Sequence, residues 1–149
     1  MIDLTEEYLT TEPEELAKKL SEKEMSTQLR KFYDDFKVLE RRLDTLPDKG
    51  QERETIFRTG ILPLIKFSKS KVAYHYARAL FPQIFKTEID RQIDRVKTEK
   101  DFRNFMLYYQ ALIGFYKYYR TMKEAEQKSH RGRQHRYDNT HGYSRGGRR

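Results

Sequence analysis

The stretch Leu29–Leu43, LRKFYDDFKVLERRL, decides the fold class of this chain. Ser26 or Thr27 before it supplies a helix N-cap, and the turn residues Pro47–Gly50 end the element. Its apolar side chains recur at spacings of three and four, which places them on one face of an α-helix. They are Leu29, Phe32, Tyr33, Phe36, Leu39 and Leu43. The pattern predicts an amphipathic helix with one buried face.

Two further helical regions follow the turn. The first runs from about Gln51 to Leu80, and Gly60 and Pro63 inside it predict a break or kink. A proline at position 82 separates it from the second region, because proline disfavours helix at the preceding residue. The second region has a narrow apolar stripe formed by Phe85, Ile89, Ile93 and Val96.

The last helix opens with a capping pair, Thr98 and Asp101, and is predicted to end near Met122. It is apolar on almost every side, so it is either central in its bundle or packed against another chain. The sequence alone does not decide between these two placements of the helix. Together the patterns predict an all-α protein, a compact bundle of about four to five helices.

Charge divides the chain into three parts. Residues 1–24 carry a net charge of −5 and are predicted to form an acidic leader, partly helical or disordered. Residues 25–127 carry +7 and form the predicted helical domain. Residues 128–149 carry +6, contain no aliphatic side chain that could build a core, and are predicted to be a disordered Arg/Gly-rich tail. A basic body with a basic tail favours polyanionic partners.

Composition excludes several classes of function. The chain has no cysteine, so a disulfide framework, a thiolate zinc site and a cysteine nucleophile are ruled out. It has no signal peptide and no apolar run long enough to cross a membrane, which predicts a cytoplasmic protein without membrane contact. His75 is the only histidine before residue 128, and no phosphate loop or nucleophile elbow is present. We therefore expect no enzyme activity, no cofactor and no metal site.

The segment 62–78, LPLIKFSKSKVAYHYAR, carries the main candidate binding surface. Its cations are Lys66, Lys69, Lys71 and Arg78, and no acid balances them. Helical geometry places Lys71, Tyr74, His75 and Arg78 on one arc, opposite the apolar residues, whereas Lys69 projects among the apolar ones. The arc is predicted to contact phosphates, with Tyr74 able to stack on a base. A merely solvated face is the alternative.

Two other basic groups accompany this arc. Lys117, Arg120 and Lys123 close the last helix, where cations also complement the helix dipole. Of these, Lys117 and Arg120 are candidate RNA contacts. The tail interleaves Arg-Gly steps with tyrosines, a pattern typical of segments that bind RNA. Its candidate contacts are Arg131, Arg133, Arg136 and Arg145.

Three stretches in this order resemble a known family: Met25–Phe36, Ile61–Arg78 and Asp101–Tyr119. They are similar to the small helical Csm-type subunit of type III-A CRISPR–Cas effector complexes, over about residues 25–120. The acidic leader and the basic tail lie outside this resemblance.

The resemblance implies a non-catalytic RNA-binding subunit of an antiviral ribonucleoprotein. Several copies of such subunits stack beside the backbone that holds the CRISPR RNA, and their basic side holds the guide–target RNA duplex. The implied partners are CRISPR RNA, target RNA, the other effector subunits and further copies of the chain, as a filament or a dimer. Carried onto this sequence, Lys66, Lys69, Lys71 and Arg78 match the family's basic helix.

Other functions remain compatible with the residues. One is a general helical nucleic-acid binder, although no compact helix-turn-helix pattern is present. Another is a protein-interaction module in which the aromatic last helix is the interface. The equivalent small subunit of a type III-B complex shares the helical design and the role.

Overall fold

The computed structural model describes residues 1–47 and 50–141, and this part of the chain is helical without a β-strand. The described residues form five helical segments, two of which are made of two helices joined by a short junction. This confirms the all-α prediction. The helices are α1 (Glu6–Leu9), α2 (Thr11–Leu20), α3 (Ser26–Asp44), α4 (Gln51–Ile56), α5 (Leu62–Ala77), α6 (Gln83–Arg95) and α7 (Glu99–His141).

The break expected near Gly60 and Pro63 is a π-helical segment, Phe57–Ile61, between α4 and α5. Pro63 lies in the first turn of α5, directly after the π-helical segment. Phe57 and Ile61, the first and last residues of this segment, are both buried in the core. The predicted break is confirmed, and it is absorbed without separating the two helices.

The acidic N-terminal segment is tied into the core by buried hydrogen bonds. The Ile2 amide donates to Asp101 Oδ1 at 2.7 Å, and Asn104 Nδ2 donates to the Ile2 carbonyl at 3.0 Å. The hydroxyl of Tyr8 donates to Gln92 Oε1 at 2.9 Å. These three buried hydrogen bonds join the N-terminal segment to α6 and α7, and they satisfy polar groups that would be costly to bury without a partner.

Aromatic side chains fill much of the core between α3, α6 and α7. Phe36 meets Phe105 edge-to-face, with ring centroids 5.1 Å apart. Phe81 and Phe85 make a similar contact at 4.8 Å. The buried Tyr109 hydroxyl donates to the Leu29 carbonyl at 2.8 Å, so its polar end is satisfied. The apolar stripe of α3 is buried as predicted, apart from the partly exposed Tyr33.

Helix α7 is longer than the sequence indicated. It was expected to end near Met122 but continues to His141, and its 43 residues span roughly 65 Å. The added part is rich in lysine, glutamate, glutamine and arginine, which favour helix, and contains no proline. The first part of the predicted disordered tail is therefore helical, and residues 142–149 lie outside the described part of the chain.

None of the described helices is both long enough and apolar enough to span a membrane.

Candidate nucleic-acid interface

The four cations of α5 point in two directions. Lys66 and Lys69 lie on the side that faces α6, whereas Lys71 lies on the side that faces α3, and Arg78 is exposed at the helix C-cap. The structure does not gather them on one surface. The reason is their spacing, because Lys66 and Lys69 are three positions apart and share one side of the helix, whereas Lys71 follows Lys69 by two positions and lies on the opposite side.

Lys66 acts within the chain. Its Nζ donates to the carbonyl oxygens of Ile93 and Asp94 at 2.6 and 3.2 Å, at the C-terminal end of α6. Cations at a helix C-terminus satisfy its last carbonyls and complement its dipole. Burial, together with the charge of Lys97, lowers the pKa of Lys66. A phosphate contact from this side chain would require it to leave both carbonyls.

Lys69 is also paired within the chain. Its Nζ lies 2.7 Å from Asp94 Oδ1, and both groups are partly exposed. The hydrogen bond from Lys69 lowers the pKa of the Asp94 carboxyl. The sequence placed Lys69 awkwardly among apolar residues, and the structure gives the reason: it reaches across to α6.

The remaining side of α5 is an exposed cationic and aromatic face. Phe67 and Tyr74 each expose 61% of their surface. The Arg78 guanidinium carbon lies 5.8 Å from the centre of the Tyr74 ring, a cation–π distance. Lys71 is half exposed, and its Nζ lies 3.6 Å from Asp35 Oδ2 on α3, a surface pair of small energetic weight. We call Phe67, Lys71, Tyr74 and Arg78 the α5 face.

His75 does not belong to this face, so the sequence interpretation of it was wrong. Its side chain is only 8% exposed, and its ring packs edge-on against Phe32 at 5.5 Å. Burial, with the charges of Lys31 and Arg78, lowers the pKa of His75 and favours the neutral ring. The error arose because position 75 lies at the border of the two arcs, where a small rotation of the helix decides burial.

Lys31 on α3 is a neighbour of the α5 face that the sequence did not single out. It is exposed, and together with Arg78 and Lys71 it contributes positive potential at His75. Along α3 it is one of several alternating charges, a pattern that gives no reason to choose it. Only the packing of α3 on α5 brings its charge close enough to act on His75 together with those of Lys71 and Arg78.

A family model, Csm2 Type III-A, matches residues 3–122. The chain belongs to the Csm2 Type III-A family. This confirms the resemblance seen in the sequence, and it implies a role as a small subunit of a type III-A CRISPR effector complex. Neither the curated proteins nor the solved structures compared with the chain gave a match.

The match corrects one expectation about the acidic leader. The resemblance in the sequence begins at residue 25 and leaves the leader outside, whereas the family match begins at residue 3. In this chain the segment packs into the core through the buried side chains of Ile2 and Tyr8. The segment after residue 122 lies outside the match.

The basic group at the end of the predicted last helix is largely occupied. The Arg120 guanidinium donates to the Ser21 carbonyl at 3.1 Å and pairs with Glu24 at 3.3 Å. Lys123 pairs with Glu22. The acidic leader thus neutralises two cations of α7, whereas Lys117 is exposed beside α3. Of the two candidate contacts here, Lys117 is accessible and Arg120 serves the packing of the leader.

The predicted tail contacts lie on the extension of α7. Arg131, Arg133 and Arg136 are exposed on this helix, and Arg145 lies outside the described residues. Within the ranges 1–47 and 50–141, no group of three or more histidine, cysteine, aspartate or glutamate residues is arranged to hold a metal ion.

Proposed function

We propose that this chain is a non-catalytic RNA-binding small subunit of a type III-A CRISPR interference ribonucleoprotein. In this proposal several copies stack beside the CRISPR RNA backbone in the cytoplasm and hold the guide–target RNA duplex by phosphate contacts. Its partners are CRISPR RNA, target RNA, the other effector subunits and further copies of the chain. Family membership supports the assembly, and the α5 face supports the contact with RNA.

The observation that favours RNA is the exposed pairing of cations with an aromatic ring. Lys71 supplies a compact ammonium charge and Arg78 a planar guanidinium, and Tyr74 offers a ring on which a base can stack. Lys31 adds charge from the neighbouring helix. An ordinary solvated helix would mix acids with these cations, whereas positions 66–78 contain no acid.

The candidate residues differ in how they contribute to RNA binding. Direct contacts come from Lys71, Tyr74 and Arg78, and Lys117 with the exposed arginines of the α7 extension adds affinity without sequence preference. Lys66, Lys69 and Arg120 already have partners within the chain. They therefore contribute mainly long-range potential, which draws the RNA toward the surface.

The test compares two double variants that remove the same number of charges. Binding of a guide–target RNA duplex is titrated over a range of salt concentrations for Lys71→Ala/Arg78→Ala and for Lys66→Ala/Lys69→Ala. The first variant is expected to lower the salt slope by roughly 0.7–0.9 for each lost phosphate contact, for any RNA sequence. The second variant is expected to keep the slope and to weaken binding only slightly.

Two outcomes would reject the assignment. An unchanged slope in the Lys71/Arg78 variant would remove the α5 face from the RNA site. A larger loss in the Lys66/Lys69 variant would transfer the site to the α6 side. A parallel titration with B-form DNA tests the general nucleic-acid binder, which predicts that DNA is preferred to RNA.

A further inference from the structure

A small polar pocket lies between α2, α6 and α7. Its volume is about 230 Å³. This is below the range of pockets that take drug-sized ligands, so it suits a group of a few atoms, such as the end of one side chain. Its charged and hydroxyl-bearing aromatic residues are Glu12, Glu15 and Lys19 on α2, Glu88 and Arg91 on α6, and Tyr108 on α7. We call this site the α2–α6 pocket.

Two polar groups of the pocket lack a partner among residues 1–47 and 50–141. Glu12 Oε2 is buried and makes no hydrogen bond. Tyr108 is 1% exposed, and its hydroxyl makes none either. The hydroxyls of the buried Tyr8, Tyr109 and Tyr116 all have partners, so Tyr108 differs from them. Because buried polar groups in folded proteins are nearly always paired, the two groups indicate a ligand that is not part of this chain.

The charge of the pocket selects the kind of ligand. The lining is acidic, with three carboxylates and two cations, in a chain whose net charge is +8. Glu88 and Arg91 hold each other through two hydrogen bonds of 2.7 and 3.1 Å. The other charges are those of Glu12, Glu15 and the exposed Lys19. A buried carboxylate oxygen without a donor is costly, so the pocket suits a cationic hydrogen-bond donor.

The Tyr108 hydroxyl belongs to the same electrostatic site. Burial raises the pKa of Tyr108, and the charges of Glu88 and Glu12 raise it further. The phenol therefore stays neutral, and it lies close enough to both carboxylates to be affected by their charge. A cation placed in the pocket meets a carboxylate from α2 and a hydroxyl from α7 at the same time.

A guanidinium group fits this arrangement best. Within the described ranges no group of three or more acidic, histidine or cysteine residues is arranged to hold a metal ion. A guanidinium is less strongly hydrated than an ammonium, and its five N–H donors can reach acceptors on two helices. A similar contact exists next to the pocket, where the Arg95 guanidinium carbon lies 5.4 Å from the centre of the Tyr8 ring. That ring stacks on Tyr108 at 4.9 Å.

The guanidinium has to come from outside the chain. Arg91 is already paired with Glu88. From Tyr108 to His141 the helix extends roughly 50 Å, whereas residues 142–149 span at most about 28 Å when fully extended, so their arginines cannot return to the pocket. A free cation of a few atoms binds weakly, so lasting occupancy requires a guanidinium that is attached to a larger surface.

We propose that the α2–α6 pocket binds the guanidinium group of an arginine presented by a partner protein, with Glu12 as the charged acceptor and Tyr108 as the second polar contact. Membership of the family supplies the candidate partners, which are the other subunits of a type III-A CRISPR effector complex. The pocket shares no residue with the α5 face, so the site does not depend on the proposed contact with RNA.

The first test titrates the full chain with methylguanidinium and follows the amide chemical shifts by NMR. Saturable shifts around the pocket are expected, with a Kd in the millimolar range because the probe has few atoms. Glu12→Gln is expected to weaken binding by about tenfold or more, since a charge-assisted hydrogen bond becomes a neutral one. The matched control Glu7→Gln removes an exposed carboxylate of the same segment and is expected to leave the Kd unchanged.

The second test uses the unpaired hydroxyl. Tyr108→Phe is expected to weaken methylguanidinium binding by about threefold or more and to melt no lower than the parent chain, because the hydroxyl has no partner to lose. Tyr109→Phe is the matched control, since it breaks the hydrogen bond to the Leu29 carbonyl and is expected to melt lower. Equal destabilisation by the two substitutions would show that ordered water satisfies Tyr108, and it would overturn the proposal.

Two other results of the titration would also overturn the proposal. Absence of saturable shifts, or an equal Kd for Glu12→Gln and the parent chain, would show that the pocket does not recognise a guanidinium. Tighter binding of spermidine than of methylguanidinium at equal ionic strength, with the same dependence on Glu12, would assign the pocket to a free polyamine instead of a protein side chain.

The third test asks whether a partner fills the pocket in the assembled effector complex. Hydrogen exchange of α2 and α6 around the pocket is expected to be slower in the complex than in the free chain. Glu12→Gln is expected to reverse this protection, and Glu7→Gln is expected to keep it. Equal exchange in the free chain and the complex would overturn the protein partner. The Lys71/Arg78 salt slope is measured separately, so either proposal can fail while the other stands.

Discussion

Asp101 offers a sharp test of how the acidic leader is held in the fold. Its Oδ1 accepts the Ile2 amide at 2.7 Å, and its Oδ2 accepts the Lys97 and Thr98 amides at 3.0 and 3.1 Å. The residue is 2% exposed. Asp101→Asn replaces one acceptor oxygen by an NH₂ group, so the donors on one side lose their partner and the charge disappears. Hydrogen bonds to charged groups contribute about 1.5–3 kcal/mol each, so we expect a loss of about 3 kcal/mol.

The same contacts set the pH dependence. Burial alone would raise the pKa of Asp101, but the three backbone N–H donors outweigh it and hold the pKa below its ordinary value. A carboxyl with a lowered pKa in the folded state stabilises the protein above its unfolded pKa of about 3.9, and this contribution is lost as the pH falls through the folded value. The difference between parent and variant should therefore shrink in acid.

The assay is urea unfolding of the parent chain, Asp101→Asn and the control Asp3→Asn, an exposed acid in the same segment. At neutral pH, Asp101→Asn should lower the free energy of unfolding by about 3 kcal/mol and Asp3→Asn by less than about 0.5 kcal/mol. Equal stability of the two variants would refute the role of Asp101. A gap that stays constant down to about pH 3 would refute the linkage argument.

Two further outcomes follow from other buried or capping groups. Burial raises the pKa values of Tyr108 and Tyr109. Their stabilising contribution is therefore present below about pH 10 and is lost as the pH rises further, because the two tyrosines ionise freely only in the unfolded chain. Thermal melts between neutral and alkaline pH should show a falling midpoint, and a midpoint that does not change with pH would contradict this prediction. Lys66→Met should lower the free energy of unfolding by about 1 kcal/mol, because the last carbonyls of α6 lose their donor. The salt dependence of RNA binding should stay unchanged in this variant, and a changed slope would place Lys66 at the RNA surface instead.

Much of the fold follows from local patterns. The stripe of α3, the capping pair at Thr98 and Asp101 and the break before Pro63 were readable because each depends on residues within a few positions of one another. The sequence predicts the end of α7 near Met122 because the apolar positions stop there, but no helix-stopping residue stands at that point. The helix continues to His141 because the residues after Met122 favour helix formation even where no core packs against them.

The candidate site was likewise predictable only in the features that depend on local sequence. The sequence by itself determined that α5 carries cations without acids and that the chain resembles its family, since both depend on residue identity and order. Only the tertiary structure decided which cations are accessible, because the packing of α5 against α3 and α6 turns Lys66 and Lys69 toward carbonyls and a carboxylate, and brings Lys31 near His75. Side-chain partners distant in sequence are set by how the helices pack, and no local pattern encodes them.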